Sequence, residues 1–285
     1  MATSAFEDWV GRTESASDRI TPGPAEALAA TLDRSSAPGA EGDPLPPLWH
    51  WLYFLDKPPA SALGPDGHAR RGRFLPPVEL PRRMWAASRV TFHRPLRLGE
   101  EATRTSRIKA VEDKQGHSGA LTFVTVEHVI HGEGGLAISE ETDLAYREAP
   151  RAGVAPSAGA ASKPPAEPQW SRTHTADPVL LFRYSALTFN SHRIHYDYPF
   201  ATEVEGYPGL VVHGPLILTL LVEALTAEHP DRDIATLTMR ARQPLFHGVA
   251  FRVQGRLTED GSRAELWSLN EQDGVTMEAT AGLTA

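Results

Sequence analysis

The sequence contains no cysteine, which removes disulfides, thiol nucleophiles and thiolate-held metal from consideration. Positive charge is scarce as well. Lys+Arg total 28 against 36 Asp+Glu, a net charge of -8 that argues against general binding to nucleic acid or to an anionic membrane. No apolar run is long enough to span a bilayer, and the first residues lack a basic stretch leading into an apolar one. No signal peptide is therefore expected, and the cytoplasm is the default location. Gly-x-Gly-x-x-Gly, P-loop and Gly-x-Ser-x-Gly patterns are all missing, so neither a nucleotide cofactor nor a serine elbow is indicated, and no cofactor is expected. What remains is 41% hydrophobic and 22% charged over 285 residues, enough to build a sizeable core as two modest domains or one double domain.

The stretch that stands out runs from Phe182 to Pro199, followed by Gly209-Leu-Val-Val-His-Gly-Pro215 and an apolar run. Asn190, His192 and His195 lie among Leu187, Phe189 and Ile194, and polar groups in such surroundings need partners or a purpose. A helix over Ser185–Tyr196 would put Asn190 and His195 just over a turn apart on one edge, within reach of one reagent. The run from Pro215 to Glu228 opens with proline at a first helical position and is apolar almost all round, as in a helix buried on every side. Gly214 then sits at that helix's N-terminus, where a free N–H and the dipole favour a carbonyl oxygen gaining negative charge.

The remainder reads as scaffold. Short helices are expected at Phe6–Val10 and Ala25–Leu32, and a second buried helix at Pro47–Asp56, rich in aromatics. Pro58–Arg83 has no periodicity and gathers His68, Arg70, Arg71, Arg73, Arg82 and Arg83. Either it is a solvated basic loop or it clamps the phosphates of a nucleotide-bearing substrate, to which guanidinium forks are matched. From Trp85 the period changes to two, predicting strands at Ser88–His93, Ala102–Val111, Leu121–His131 and Ala137–Tyr146. The Ala/Pro/Gly/Ser-rich stretch around 151–168 is a linker.

The pattern then repeats. Thr238-Met-Arg-Ala-Arg-Gln-Pro244 lines up with Arg89-Val-Thr-Phe-His-Arg-Pro95, and Gly248 with Gly99 at the same offset. Strands at Ala250–Leu257, Arg263–Asn270 and Val275–Leu283 follow in the same order. The chain reads as a duplication, 1–150 and 169–285, each half one buried helix plus an antiparallel sheet. Joined side by side, the halves make one curved α+β sheet around two central helices.

Each polar residue has a plain reading beside the chemical one. Histidine suits proton transfer near neutral pH, but twelve occur here and most must be structural. His195 is the candidate base, whereas His192 is read as a core or interface hydrogen-bonder. Asn190 positions water or a carbonyl, or is merely a polar residue on a helix edge. Gly214 donates to an oxyanion, or simply begins a closely packed helix. His213 shapes the turn bordering the substrate. Asp197 orients His195 or caps a helix, and Arg183 contacts a carboxylate or CoA, or is a surface residue. Three-residue spacing between His192 and His195, rather than four, argues against metal held with His213.

These motifs resemble the MaoC-like, or hydratase-2, family of hotdog enoyl-thioester hydratases, whose pattern is Asp-x-Asn-Pro-x-His followed by a His-Gly turn. Phe182-Arg-Tyr-Ser-Ala-Leu-Thr-Phe-Asn-Ser-His-Arg-Ile-His-Tyr-Asp197 and Glu205-Gly-Tyr-Pro-Gly-Leu-Val-Val-His-Gly-Pro215 look like the branch of itaconyl-CoA and mesaconyl-C4-CoA hydratases and hydroxyacyl-thioester dehydratase type 2. Asp8-Trp-Val-Gly-Arg-Thr-Glu14 and the segment Arg70–Trp85 extend the likeness through most of the chain. The resemblance implies a double hotdog and a hydro-lyase that hydrates itaconyl-CoA or mesaconyl-C4-CoA to citramalyl-CoA. His195, Asn190 and Gly214 would be catalytic; Arg183, His213, Arg70, Arg71, Arg73, Arg82 and Arg83 would contact substrate. It leaves room for a 3-hydroxyacyl-thioester dehydratase of fatty-acid synthesis or a non-catalytic acyl-CoA-binding protein. Asn190 departs from the family's carboxylate and cannot exchange a proton at neutral pH. The first half lacks an equivalent Asn/His segment and is expected to be a substrate-binding wall. The expected partner is an acyl-CoA, and the expected assembly a homodimer.

Overall fold

The computed structural model describes residues 5–116, 119–148 and 162–284. Its sheet holds ten strands: β1 Thr13–Arg19, β2 Arg82–Phe92, β3 Glu101–Gly116, β4 Gly119–Gly132, β5 Gly135–Arg147, β6 Trp170–Thr175, β7 Asp233–Ala241, β8 Ala250–Leu257, β9 Arg263–Leu269 and β10 Val275–Thr284. They lie in the order β1-β3-β4-β5-β2-β7-β10-β9-β8-β6, every pair antiparallel. The sheet is therefore continuous, and β2 against β7 is the seam between its halves. There Arg89 pairs with Thr238, the two positions that the internal repeat equates. A residue facing its own counterpart is what a twofold axis through the seam requires.

The edges repeat as well. Gly99 and Gly248, at φ 94° and 74°, turn the chain and donate their N–H to Ile20 and Ala176, each two residues ahead of a helix. Those helices are α1, Pro22–Thr31, and α2, Pro178–Leu187. β1 and β6 just before them were not expected, because these edge strands carry mostly polar residues on both faces. In β1 the hydroxyls of Ser15 and Ser17 pair with Thr105 and Thr103 at 3.1 and 2.8 Å.

The long central helix is α3, Gly214–Glu228, with Leu216, Ile217, Leu218, Leu220, Leu221, Val222, Ala224 and Leu225 all buried. Its surface is apolar except for a narrow edge at Thr219, Glu223 and Thr226, so burial on nearly all sides is its stable arrangement. The helix expected at Pro47–Asp56 is not formed. Only one 3₁₀ turn, Trp49–Leu52, appears there, between Leu48 at φ 72° and Phe54 at φ 55°. Three aromatic polar groups hold that segment open: Trp49 Nε1 donates to Glu223, Trp51 Nε1 to Glu140, and Tyr53 Oη to the Thr21 carbonyl. Their targets lie on three separate elements, which one straight helix cannot face together. Phe6–Val10 likewise yields only a 3₁₀ turn, Glu7–Trp9.

The segment Pro58–Arg83 is irregular as expected, apart from a 3₁₀ turn at Ala60–Ala62, although Arg82 and Arg83 begin β2. Residues 151–161 of the expected linker lie outside the described residues. No helix among the described residues is long and apolar enough to cross a membrane.

Candidate active site

α2 is opened by Asp177, whose Oδ1 accepts from the Leu180 N–H at 2.7 Å, and it stops at Leu187 instead of continuing to Tyr196. Phe189 takes the left-handed conformation, φ 49°, at a cost of roughly 1–2 kcal/mol for a residue with a side chain. The Asn190 N–H then donates to the Ser185 carbonyl at 2.8 Å, and Asn190 Oδ1 accepts from the His192 N–H at 3.1 Å. A 3₁₀ turn, Arg193–His195, follows. Asn190 and His195 thus do not share a helical edge. A side-chain-stabilised turn relates them instead.

Four imidazoles follow one another here. Ring centroids are 4.0 Å apart for His68 and His192, 5.4 Å for His192 and His195, and 3.7 Å for His195 and His213, the last pair stacked at 19°. His195 Nδ1 lies 2.7 Å from the Val211 carbonyl oxygen. A carbonyl only accepts, so Nδ1 carries the proton and Nε2 is the basic nitrogen. His213 is 1% exposed, its Nε2 2.8 Å from Ser185 Oγ. His192, read as a core hydrogen-bonder, is the ring between His68 and His195. Asp197 does not touch His195: Oδ1 caps the π turn Phe200–Val204 through the Phe200 N–H, and Oδ2 pairs with Arg193 at 2.8 Å.

Burial pushes His195 down to about 4, partly opposed by the bond to Val211 and reinforced by charge on His68. His68 is likewise pushed down to about 4, by burial and then by Arg83, against the pull of Asp66. These rings are neutral at physiological pH, as a general base must be. The acid limb of kcat/KM is therefore expected near pH 4 rather than near 6.5, and an initial-rate profile from pH 3 to 9 checks it. Stability shifts with the same sign. Each ring binds a proton more weakly folded than unfolded, so its contribution is complete above about pH 6.5 and is lost as pH falls toward 4.

Gly214 is the first residue of α3, so helical geometry leaves its N–H without an intrahelical acceptor. It has no room for a side chain, since an added Cβ would lie 2.7 Å from Trp85 Cε3. Trp85 and Pro215 border a cavity of about 1320 Å³, together with Tyr184, Ser185, Asn190, Ser191 and His68. His195 and Gly214 do not themselves line it; they stand one residue or one contact behind groups that do.

The arginines divide. Arg70, Arg71, Arg73 and Arg83 line the cavity, but Arg82 and Arg183 do not. Arg71 is held by carbonyls of Val78, of Leu80 at 2.6 Å and of Pro81 at 2.8 Å, and so braces the loop rather than standing free. Arg82 is buried in an ion pair with Glu205 at 3.0 Å and lies over Tyr207. Arg183 is exposed and reaches the Ala30 carbonyl on α1.

The first half is more than a wall. On the same cavity, Glu140 of β5 accepts from His50 Nε2 at 3.1 Å, Trp51 Nε1 at 3.1 Å and Ser88 Oγ at 3.2 Å, with Glu140 and His50 only 5% and 3% exposed. Burial alone would raise its carboxyl, but bonds from His50 and Trp51 bring it down to about 2. Sequence offered only a weak signal for this cluster, a histidine between two tryptophans.

Asp66, His68 and His192 place ligand-type atoms within 4.8 Å of one another. His68 Nδ1 already meets Asp66 Oδ2 at 3.0 Å, and Arg71 and Arg83 add positive charge beside it. That environment suits a hydrogen-bonded carboxylate–imidazole pair better than a cation.

Comparison with known proteins gives a consistent result. A family model described as hydroxyacyl-thioester dehydratase type 2 matches residues 48–247. Mesaconyl-C(4)-CoA hydratase of Chloroflexus aurantiacus is 46% identical over 283 residues, 99% of either chain. The mitochondrial hydroxyacyl-thioester dehydratase type 2 of Schizosaccharomyces pombe is 31% identical over 234 residues, 73% of this chain and 77% of its own. Among solved structures, one called a MaoC-like dehydratase matches 98% of this chain and 99% of its own at TM-score 0.72 and 15% identity. A Mycobacterium tuberculosis protein described as a double hotdog matches 96% of both chains at TM-score 0.59 and 12% identity. The α+β double hotdog expected of the chain is the fold observed, with one long central helix, α3, among the described residues where two were expected.

Proposed function

The chain belongs to the hydroxyacyl-thioester dehydratase type 2 family of MaoC-like hydro-lyases, and from that premise we propose that it adds water reversibly across the α,β double bond of a short dicarboxylic enoyl-CoA. Mesaconyl-C4-CoA is the substrate in this reading, and citramalyl-CoA the product; itaconyl-CoA, whose methylene double bond lies one carbon farther from the thioester, enters the same reaction only once that bond has moved into conjugation. The observation that carries it is the fixed tautomer of His195: Nδ1 is held by Val211, Nε2 remains basic, and the ring stacks on the residue preceding Gly214. His195 takes the proton of a water held by Asn190 as the oxygen bonds the β carbon. The π electrons move onto the thioester oxygen, where the Gly214 N–H stabilises the enolate; such a donor is typically worth about 10²–10³ in rate. Protonation at the α carbon completes the addition.

Support for a dicarboxylate comes from Arg83, which lines the cavity and whose charge is felt by both His68 and His192. A guanidinium there suits a carboxylate a few bonds from the reacting carbons and offers nothing to a long alkyl chain. The test is loss of enoyl-thioester absorbance on itaconyl-, mesaconyl-C4-, crotonyl- and long-chain enoyl-CoA, with wild type and Arg83→Leu. A dicarboxylyl-CoA is expected to be preferred, and Arg83→Leu to lower its kcat/KM at least about tenfold while changing crotonyl-CoA about threefold or less, as losing one charge-assisted contact requires. Preference for long chains would instead select the fatty-acyl dehydratase reading. Binding without turnover across the panel would select the non-catalytic one.

A further inference from the structure

The loop around His68 is docked on the candidate catalytic segment too closely to be incidental. Ser191 Oγ donates to the Gly67 carbonyl at 2.5 Å, the Arg193 N–H to the Asp66 carbonyl at 2.9 Å, and Arg193 Nη1 to the Pro65 carbonyl at 2.9 Å. Gly67 has φ 90°, and a Cβ on it would run into the Ser191 carbonyl, so only glycine allows this approach. The docking fixes one side chain in particular. His68 lines the cavity with Asn190 and Ser191, whereas His192, His195 and His213 do not. Its Nδ1 meets the Asp66 carboxylate at 3.0 Å, an acceptor that leaves the second nitrogen, Nε2, as the basic one. His192 lies between His68 and His195.

We infer that His68 is a second catalytic residue, the group that exchanges the α-carbon proton, with Asp66 as its positioning residue. The inference rests on the hydratase reading, which requires two proton transfers: one from water, one to carbon. His195 accepts a proton from the attacking water while the oxygen bonds the β carbon and the double-bond electrons move to the thioester oxygen. His195 gives that proton up to the water of the cavity, and His68, taking one up at Nε2, delivers it to the α carbon as the enolate collapses. H and OH of one water end on the substrate, every imidazole ends neutral, and nothing is oxidised or reduced. Asp66 stabilises the transient imidazolium. Hydrogen bonds from His68 hold its own carboxyl below the usual range against the upward push of burial, so the charge is present throughout.

The test uses wild type, His68→Gln, His68→Ala and Asp66→Asn, with citramalyl-CoA carrying hydrogen or deuterium at the α carbon and dehydration followed by enoyl absorbance. Wild-type turnover is measured first, and its absence overturns the hydratase reading and this one together. Given turnover, His68→Gln is expected to lower kcat about 10²-fold or more with KM within about threefold, and to raise the deuterium isotope effect on kcat because carbon–hydrogen cleavage becomes limiting. His68→Ala should regain activity with added imidazole, a rescue that a merely structural role does not give. Asp66→Asn should lower kcat at least about tenfold with the same rise in isotope effect. A His68→Gln enzyme within about threefold of wild type, or slowed with no change in isotope effect and no imidazole rescue, overturns the inference and leaves the hydratase reading standing.

Discussion

Replacing His195 with alanine is expected to lower kcat for enoyl-CoA hydration by about 10²–10⁴, the usual contribution of one general acid–base group. The corresponding rise in barrier is roughly 2.7–5.5 kcal/mol, too large for altered packing to mimic. Asn190, read as holding the water, is an amide and cannot take the proton in place of His195. The fold should survive. His195 belongs to a 3₁₀ turn rather than to the sheet or α3, and its loss strips one acceptor's partner, the Val211 carbonyl, at about 1–3 kcal/mol. Steady-state kinetics on the variant, with circular dichroism to verify folding, checks the expectation; turnover within about threefold of wild type would contradict it.

The second large effect concerns stability. Glu140→Ala removes one acceptor and strands four donors, His50 Nε2, Trp51 Nε1, Ser88 Oγ and Thr142 Oγ1, those of His50 and Ser88 buried. Breaking such a buried pair typically costs about 3–5 kcal/mol, and in a chain of this size that lowers Tm by on the order of 10 °C. Glu140→Gln, which keeps an acceptor, should lose less. The pH dependence follows from the depressed carboxyl: its contribution is complete above the unfolded value of 4.5 and is lost as pH falls toward about 2. Differential scanning calorimetry of both variants is the check. A Glu140→Ala melt within about 2 °C of wild type would mean that the cluster contributes little, and that the cavity floor does not depend on it.

Much of the scaffold was legible because it obeys two periodicities. Strands with one buried face alternate, and β8 has the bounds expected for it, Ala250–Leu257. α3 is apolar almost all round, which marks it as a buried helix. The duplication was legible from turn chemistry, Pro95 with Gly99 and Pro244 with Gly248, and the pairing of Arg89 with Thr238 follows from it. β1 and β6 were not legible, since polar edge strands carry no burial pattern. Apolarity alone also misread Pro47–Asp56, where side-chain hydrogen bonds to three separate elements decide the backbone. In the site, His195 and Gly214 lie just behind the cavity lining rather than on it, and the helix expected to join Asn190 to His195 ends at Leu187. The left-handed Phe189 that redirects the chain has no signature of its own. The docking of Asp66–His68 on Ser191 and Arg193 and the His50–Glu140 pair depend on contacts between distant segments, which neither spacing nor composition encodes.

The account depends most on an enoyl thioester being hydrated in the cavity by an imidazole behind Asn190. Incubating mesaconyl-C4-CoA with wild type and with His195→Ala, side by side at pH 7, tests this directly by the fall in enoyl-thioester absorbance. Rapid loss with the wild type and loss at least about 10²-fold slower with the variant is the predicted result. Equal rates for the two proteins, or a wild type that binds the thioester and leaves its double bond intact, would contradict it.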